Sequence, residues 1–161
     1  VPTTAPVPTG ITIPAIGAHS TDVAPMGLQP DGSPGVPPLT EVNQLGYYCP
    51  GGLPHCGAPL PGQLGPAVLL AHVNGDGKVG LFNNLWKLKA GDQVKVTLAG
   101  GHVAAFRVSR VQTVPKTQFP YAAVYGVIGH PALRLITCGP GAVVGKNYIN
   151  QTIAFADLAG G

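Results

Sequence analysis

Leu133-Arg134-Leu135-Ile136-Thr137-Cys138 runs directly into Gly139-Pro140-Gly141. Branched apolar residues alternate with polar ones through the hexamer, the pattern of a half-buried β-strand, and the Gly/Pro break ends it. Cys138 therefore stands where the strand leaves its sheet, a place where backbone amides and side chains of neighbouring segments converge. A thiol there can act as a nucleophile; the plainer role of a free cysteine is that of a small buried hydrophobe. The hexamer alone leaves both open.

Working outward, the 161 residues suffice for one domain with a real core, and no charge block or shift of composition divides them. Hydrophobic residues make up 45% and charged ones only 9%, while 24 Gly and 18 Pro make turns frequent and long helices scarce, which predicts an all-β fold. No apolar run approaches the ~20 residues that cross a bilayer. No basic-plus-apolar leader precedes Val1, so any signal or anchor is expected to have been removed or never to have existed. The formal charge of +3 is spread over nine Lys and Arg without a cluster. A phosphate-tracking surface needs several basic groups together, so nucleic acid is not an expected partner; a weak attraction to anionic envelopes is the most the charge suggests.

Cys49 and Cys56 lie within Tyr47-Tyr48-Cys49-Pro50-Gly51-Gly52-Leu53-Pro54-His55-Cys56-Gly57, a turn-rich loop that can bring them together and leaves Cys138 as the odd thiol. Closing so short a loop stabilises a fold by about 2 kcal/mol on the chain-entropy model and implies an oxidising, extracytoplasmic setting. The rival is a metal site on Cys49, His55 and Cys56. Adjacent His and Cys cannot easily share one tetrahedral centre with Cys49, and no fourth ligand is evident, so the disulfide is favoured. The six carboxylates are scattered, and neither a metal nor a cofactor is expected.

Residues 1–10 are Pro/Thr-rich and aperiodic, the pattern of an extended juxtamembrane stalk, and residues 11–161 form the folded domain. Ile11-Thr12-Ile13-Pro14-Ala15-Ile16-Gly17 alternates like a strand, but its internal proline points to an edge or a bulge. Residues 24–28 add another short strand, and residues 29–38 form a Gly/Pro/Asp/Ser loop. Gly65-Pro66-Ala67-Val68-Leu69-Leu70-Ala71-His72-Val73 is a continuous apolar run of strand length, suited to burial on both faces. Asn74-Gly75-Asp76-Gly77 then signals a turn, so His72, like Cys138, stands at a strand exit. The spacing of Leu81, Phe82, Leu85, Trp86 and Leu88 predicts a short helix or helical turn. Residues 93–98, the turn Ala99-Gly100-Gly101 and residues 102–108 read as a hairpin whose second strand continues to Pro115. A long loop over residues 116–131 leads to the Cys138 strand, and after a Gly-rich loop residues 148–156 supply the last strand.

These marks together resemble the sortase family, and most closely the class F sortases of Gram-positive bacteria. The resemblance covers most of the chain: Ile13-Pro14-Ala15-Ile16-Gly17, Gly46-Tyr47-Tyr48, Pro61-Gly62-Gln63-Leu64-Gly65-Pro66-Ala67-Val68 running into Ala71-His72, Ala90-Gly91-Asp92, Leu135-Ile136-Thr137-Cys138-Gly139, and Tyr148 with the closing strand. It implies a closed eight-stranded β-barrel with one or two short helices or 3-10 turns. It also implies a membrane-anchored cysteine transpeptidase on the outer face of the plasma membrane, active as a monomer. Such enzymes cut a sorting signal of the Leu-Pro-X-Thr-Gly type between Thr and Gly, hold the acyl group as a thioester, and pass it to an amine of a peptidoglycan precursor.

The residues support the chemistry independently. A peptide carbonyl needs a nucleophile stronger than water, and a Cys138 thiolate is one if a neighbour favours its ionised form or takes its proton. His72 is the natural neighbour: as imidazolium it favours the thiolate and protonates the departing amine, and as neutral imidazole it deprotonates the incoming one. His19, His55, His102 and His130 lie in turn or loop contexts and read as solvated. Many sortases carry an oxyanion-steadying arginine on the last strand, where this sequence has none. Arg134 is the best substitute, sharing a face with Cys138 by strand alternation, with Arg107, Arg110 and Lys146 behind it. Four residues of strand span about 13 Å, however, so direct contact requires a bend or bulge. Thr137 and the amide of Gly139 are oxyanion-side candidates by position, and by resemblance Ala122, Ala123, Val124, Tyr125 and Ile136 line an apolar slot for the Leu-Pro portion. Two other classes compete: an L,D-transpeptidase, whose Ser/His-Gly-Cys signature is absent around Cys138, and a non-enzymatic surface β-domain, which would not need a strand-end cysteine beside a strand-end histidine.

Overall fold

The computed structural model describes residues 6–38, 40–75, 77–138, 143–144, 147–148 and 150–160, with Cys138 placed by its backbone. The chain opens with β1 (Pro8–Ile13), β2 (Ala18–Ser20), β3 (Val23–Met26), β4 (Leu45–Tyr48) and β5 (Gly65–Leu70). The small hairpin β6 (Asn74–Gly75) and β7 (Lys78–Val79), the long pair β8 (Gln93–Leu98) and β9 (Val103–Pro115), and the one-turn helix α1 (Tyr121–Tyr125) follow. β10 (Pro131–Cys138), the short pair β11 (Val143–Val144) and β12 (Asn147–Tyr148), and β13 (Asn150–Gly160) complete it.

Nine strands form one sheet in the order β2-β1-β8-β9-β13-β10-β5-β4-β3. That corrects the expected count of eight and its full closure. The two edge strands, β2 and β3, are consecutive in the chain, and residues 21–22 join them, so the sheet curls into a nearly closed barrel. Near the seam Ser20 Oγ, at the end of β2, donates to the Asn43 carbonyl at 2.6 Å, and Leu45 N–H extends the β3–β4 pairing to the Asp22 carbonyl at 2.8 Å. Pro14 does not sit at an edge or a bulge. It opens a 3-10 turn, Pro14–Ile16, closed by Gly17 at φ 65°, because proline presets the turn and glycine tolerates the left-handed exit. β1 begins at Pro8, so the last three residues of the expected stalk lie in this strand, where Pro8 and Gly10 pair with β8; residues 1–5 lie outside the described ones.

β5 is buried along all six residues. It runs parallel to β10 and antiparallel to β4, and both its faces are covered. Alternation divides the packing in two. Ala67, Leu69, Leu133, Leu135, Ala154 and Ala156 point into the barrel with Val94, Val96 and Phe106, and Phe82 and Leu85 pack into the same core. Val68, Leu70, Ile136, Ile153 and Phe155 point outward and make a second cluster with Val114, roofed by the wholly buried Val124 of α1. A bulge in β9 makes this possible. Phe155 pairs with Arg110 but Ala156 pairs with Val108, so Ser109 is the extra residue, and its hydroxyl donates to the Phe155 carbonyl at 3.1 Å. Beyond it the alternation of β9 inverts, and Val114 meets the outer cluster. Among the described residues no helix is long and apolar enough to cross a membrane.

Candidate active site

Parallel pairing sets Leu70 opposite Ile136, and Ala71 N–H donates to the Ile136 carbonyl at 3.3 Å. β5 ends at Leu70, so His72 lies two residues past its strand, while β10 runs on beside it to the Cys138 backbone. The chain then folds back tightly through the β6–β7 hairpin, with Gly80 N–H donating to the Val73 carbonyl at 2.7 Å and Phe82 N–H to the His72 carbonyl at 3.1 Å. A Cβ at Gly80 would lie 2.2 Å from the His72 oxygen, so only glycine permits this return. The half-buried His72 ring donates from Nε2 to the Pro37 carbonyl. A carbonyl only accepts, so Nε2 keeps its hydrogen in the neutral ring as in the charged one, and Nδ1 is the nitrogen that gains or loses a proton.

His72 faces a cavity of about 1300 Å³ whose other walls include Leu70, Ile136, Gln151, the 29–36 loop, the β6–β7 hairpin and Tyr125. An aromatic cluster flanks it: Tyr125 lies 5.4 Å from Tyr48 and 6.3 Å from Phe119, which lies 4.9 Å from Tyr121. Burial, helped by Tyr48 and Tyr121, pushes the Tyr125 phenol up to about 12. The 29–36 loop is held by Gly35 N–H on the Gly27 carbonyl at 2.7 Å and by Gln29 Nε2 on the Pro34 carbonyl at 2.9 Å.

Of the residues expected at the slot, Tyr125 and Ile136 stand on the cavity wall. Val124 is wholly buried, Ala122 is exposed, and the Ala123 carbonyl is occupied by Arg134 Nε at 3.2 Å. Arg134 also donates to its neighbour's carbonyl, Leu133, at 3.2 Å, and its guanidinium lies 4.7 Å from the Phe155 ring centre. It is 7% exposed, and burial pushes its pKa down, opposed by Asp157 and aided by Arg110. The Thr137 hydroxyl is buried and has no hydrogen-bond partner among the described residues. Gly139, Lys146 and the Cys138 side chain lie outside the described residues. Cys49 and Cys56 are joined by a disulfide with Cα atoms 4.3 Å apart. His19 bonds Thr12 and His130 pairs with Asp157, both on the surface. No group of three metal-ligating side chains forms among the described residues.

Sequence reasoning missed the Pro37 carbonyl, Gly80, Phe119, Tyr121 and Gln151. The aromatic pair was detectable as Phe119-Pro120-Tyr121 in the long loop, whereas the place of Gln151 depends on a register that residue types do not reveal. A backbone carbonyl leaves no sequence signal.

A family model described as Sortase domain matches residues 11–159. Among solved structures, the chain is similar to sortase A from Corynebacterium diphtheriae, lid mutant, at 24% identity and a TM-score of 0.70, over 96% of this chain and 71% of that one. It is similar to sortase C-1 from Actinomyces oris at 21% identity and a TM-score of 0.70, over 94% and 73%. It is also similar to a Clostridium perfringens sortase D5 transpeptidase at 19% identity and a TM-score of 0.63, over 94% and 78%. At these identities the likeness to solved structures speaks for the fold. A comparison with curated protein sequences finds no match.

Proposed function

The chain belongs to the sortase family, and on that premise we propose that it is a class F type cysteine transpeptidase. It cuts Leu-Pro-X-Thr-Gly-type sorting signals between Thr and Gly through a thioester on Cys138, and transfers the acyl group to a peptidoglycan-precursor amine. The observation that supports this reading is the parallel β5–β10 pairing: it closes with Leu70 opposite Ile136, and from these neighbouring strand ends the chain leads to His72 on the cavity wall and to Cys138. Sortases act at the cell envelope. We place this domain on the outer face of the plasma membrane, as a monomer held by an anchor on the N-terminal side of β1; the Cys49–Cys56 bond supports an oxidising compartment.

The Leu-Pro portion lies on Ile136 and Tyr125, with Ala123 and Val124 supporting the slot from behind and Ala122 at its rim. A proline-containing peptide enters such a groove already extended, which limits the ordering cost. His72, charged at Nδ1, favours the Cys138 thiolate. The sulfur attacks the threonine carbonyl carbon; the resulting intermediate expels the glycine amine, which takes the Nδ1 proton. The neutral ring then accepts a proton from the acceptor amine as it attacks the thioester, and the thiolate leaves. Because Nε2 is committed to Pro37, the same nitrogen serves both halves.

The test is incubation with a quenched Leu-Pro-X-Thr-Gly peptide, with and without an amine acceptor, followed by intact mass under non-reducing conditions. Cleavage, an acyl adduct on Cys138 and a single alkylatable thiol are expected, with cleavage and adduct both lost in Cys138→Ala. Cleavage by Cys138→Ala at the wild-type rate sinks the assignment.

A further inference from the structure

None of the chain's three arginines lines the cavity beside His72. Arg107 bonds the Gly91 carbonyl at 3.4 Å, Arg110 lies 4.1 Å over the Phe155 ring, and Arg134 is committed to Ala123, Leu133 and the same ring. Attack by a Cys138 thiolate drives negative charge onto the carbonyl oxygen, and a donor preplaced for that charge is commonly the largest single contribution to catalysis. In this chain the donor has to come from another residue type.

Strand pairing identifies one. β10 and β13 run antiparallel with Cys138 directly opposite Gln151. Residues so paired share one face of the sheet, with Cβ atoms about 5 Å apart. Gln151 is half-buried and lines the cavity with His72, Leu70 and Ile136. Its partner on the other side is Val114, which offers its side chain nothing to bond. Among the described residues its amide makes no hydrogen bond. Gln151 therefore stands on the cavity wall with an amide that no protein group among the described residues claims, and its N–H donors are available to a substrate oxygen.

Resting on the transpeptidase reading, we propose that Gln151 is the oxyanion donor of this enzyme, an uncharged amide serving where an arginine is absent. As the Cys138 sulfur bonds the threonine carbonyl carbon, the C=O π pair moves onto oxygen and the Gln151 Nε2–H group hydrogen-bonds it. On collapse that pair re-forms the C=O bond, the C–N bond breaks, and the glycine amine leaves with the proton from His72 Nδ1. The same donor meets the oxyanion when the acceptor amine attacks the thioester.

The experiment is steady-state cleavage of the Leu-Pro-X-Thr-Gly peptide by the whole chain and by Gln151→Ala, Gln151→Glu, Gln151→Arg and Lys116→Ala. Melting temperature and the rate of Cys138 alkylation by iodoacetamide are measured beside it. Loss of one oxyanion donor lowers kcat by about 100-fold, and Gln151→Ala is expected to do so with KM and alkylation rate near wild type. Gln151→Glu keeps the shape but sets a carboxylate against the oxyanion, so it falls further; Gln151→Arg retains at least the wild-type kcat. A kcat near wild type for both Gln151→Ala and Gln151→Glu overturns the proposal, as does a 100-fold loss that appears in Lys116→Ala instead. A wild type that neither cleaves nor forms an adduct on Cys138 removes the transpeptidase reading and this proposal with it. A wild type that cleaves beside an unimpaired Gln151→Ala removes this proposal alone.

Discussion

The Pro37 carbonyl accepts the Nε2–H of His72 across 35 residues of chain. Its direction is unusually fixed, because the Pro37 ring sets φ and Pro38, next in sequence, restricts ψ to the extended region. A loop with no regular structure thereby aims the histidine. Releasing both angles with Pro37→Gly/Pro38→Ala is expected to lower kcat roughly tenfold through loss of orientation, while KM changes little. Steady-state kinetics beside a thermal melt checks this; an unchanged kcat removes the positioning role.

Gly80 controls the same histidine from its backbone. A Cβ there meets the His72 oxygen at 2.2 Å, the His72 carbonyl carbon at 2.7 Å and the Val73 carbonyl carbon at 2.8 Å, all main-chain atoms that cannot rotate away. Gly80→Ala must therefore shift residues 72–73. Overpacking of this kind costs about 1–3 kcal/mol, so a lower melting temperature is expected together with a lower kcat. Gly101→Ala, at a hairpin turn with open space around it, is the comparison. Its positive φ strains alanine too, so it is expected to lose melting temperature while keeping kcat.

The parts of the fold that follow from side-chain type were legible in the sequence. A run from Gly65 to Leu70 with no polar residue has to be covered on both faces, and it lies between β4 and β10. The residues 93–115 hairpin announces itself by alternation around Ala99-Gly100-Gly101. His72 and Cys138 were legible as strand ends because turn residues follow each. What depends on register or on the main chain was not legible. The Ser109 bulge decides which residues of β9 face outward, and the pairing of Cys138 with Gln151 depends on how the chain returns between them. The count of eight strands was what the resemblance implied; residues 18–26 supply both ends of the nine-stranded sheet, and of these two strands only the second was expected, over residues 24–28, since three residues are too short to establish a period.

Tyr125 gives the cavity wall a pH signature. Its phenol ionises in the fold at about 12, against an ordinary value of 10.0, mainly because burial disfavours the anion. Between those values the unfolded chain releases this proton and the folded one holds it, so stability falls as pH rises through that window and the contribution is complete below it. Denaturant unfolding at intervals of pH should show this slope, and Tyr125→Phe should flatten it. A slope that is the same in both proteins means that another group causes it.

Arg134 separates two roles that strand alternation alone does not distinguish. It shares the outer face with Ile136, but its guanidinium is spent on the Ala123 and Leu133 carbonyls and on Phe155, which ties the α1 wall to β10. If that is its work, Arg134→Ala loses hydrogen bonds from a charged donor worth roughly 2 kcal/mol, a fall in melting temperature of about 5 °C. KM then rises as the Ala123 to Tyr125 wall loosens, and kcat survives. Lysine is expected to rescue poorly, since a single ammonium on a flexible stem cannot hold both carbonyls and lie flat against the ring. If Arg134 instead meets the oxyanion, kcat and kcat/KM fall together by roughly 100-fold with the melting temperature kept. The geometry favours the first outcome, and steady-state kinetics with a thermal melt of Arg134→Ala and Arg134→Lys decides it.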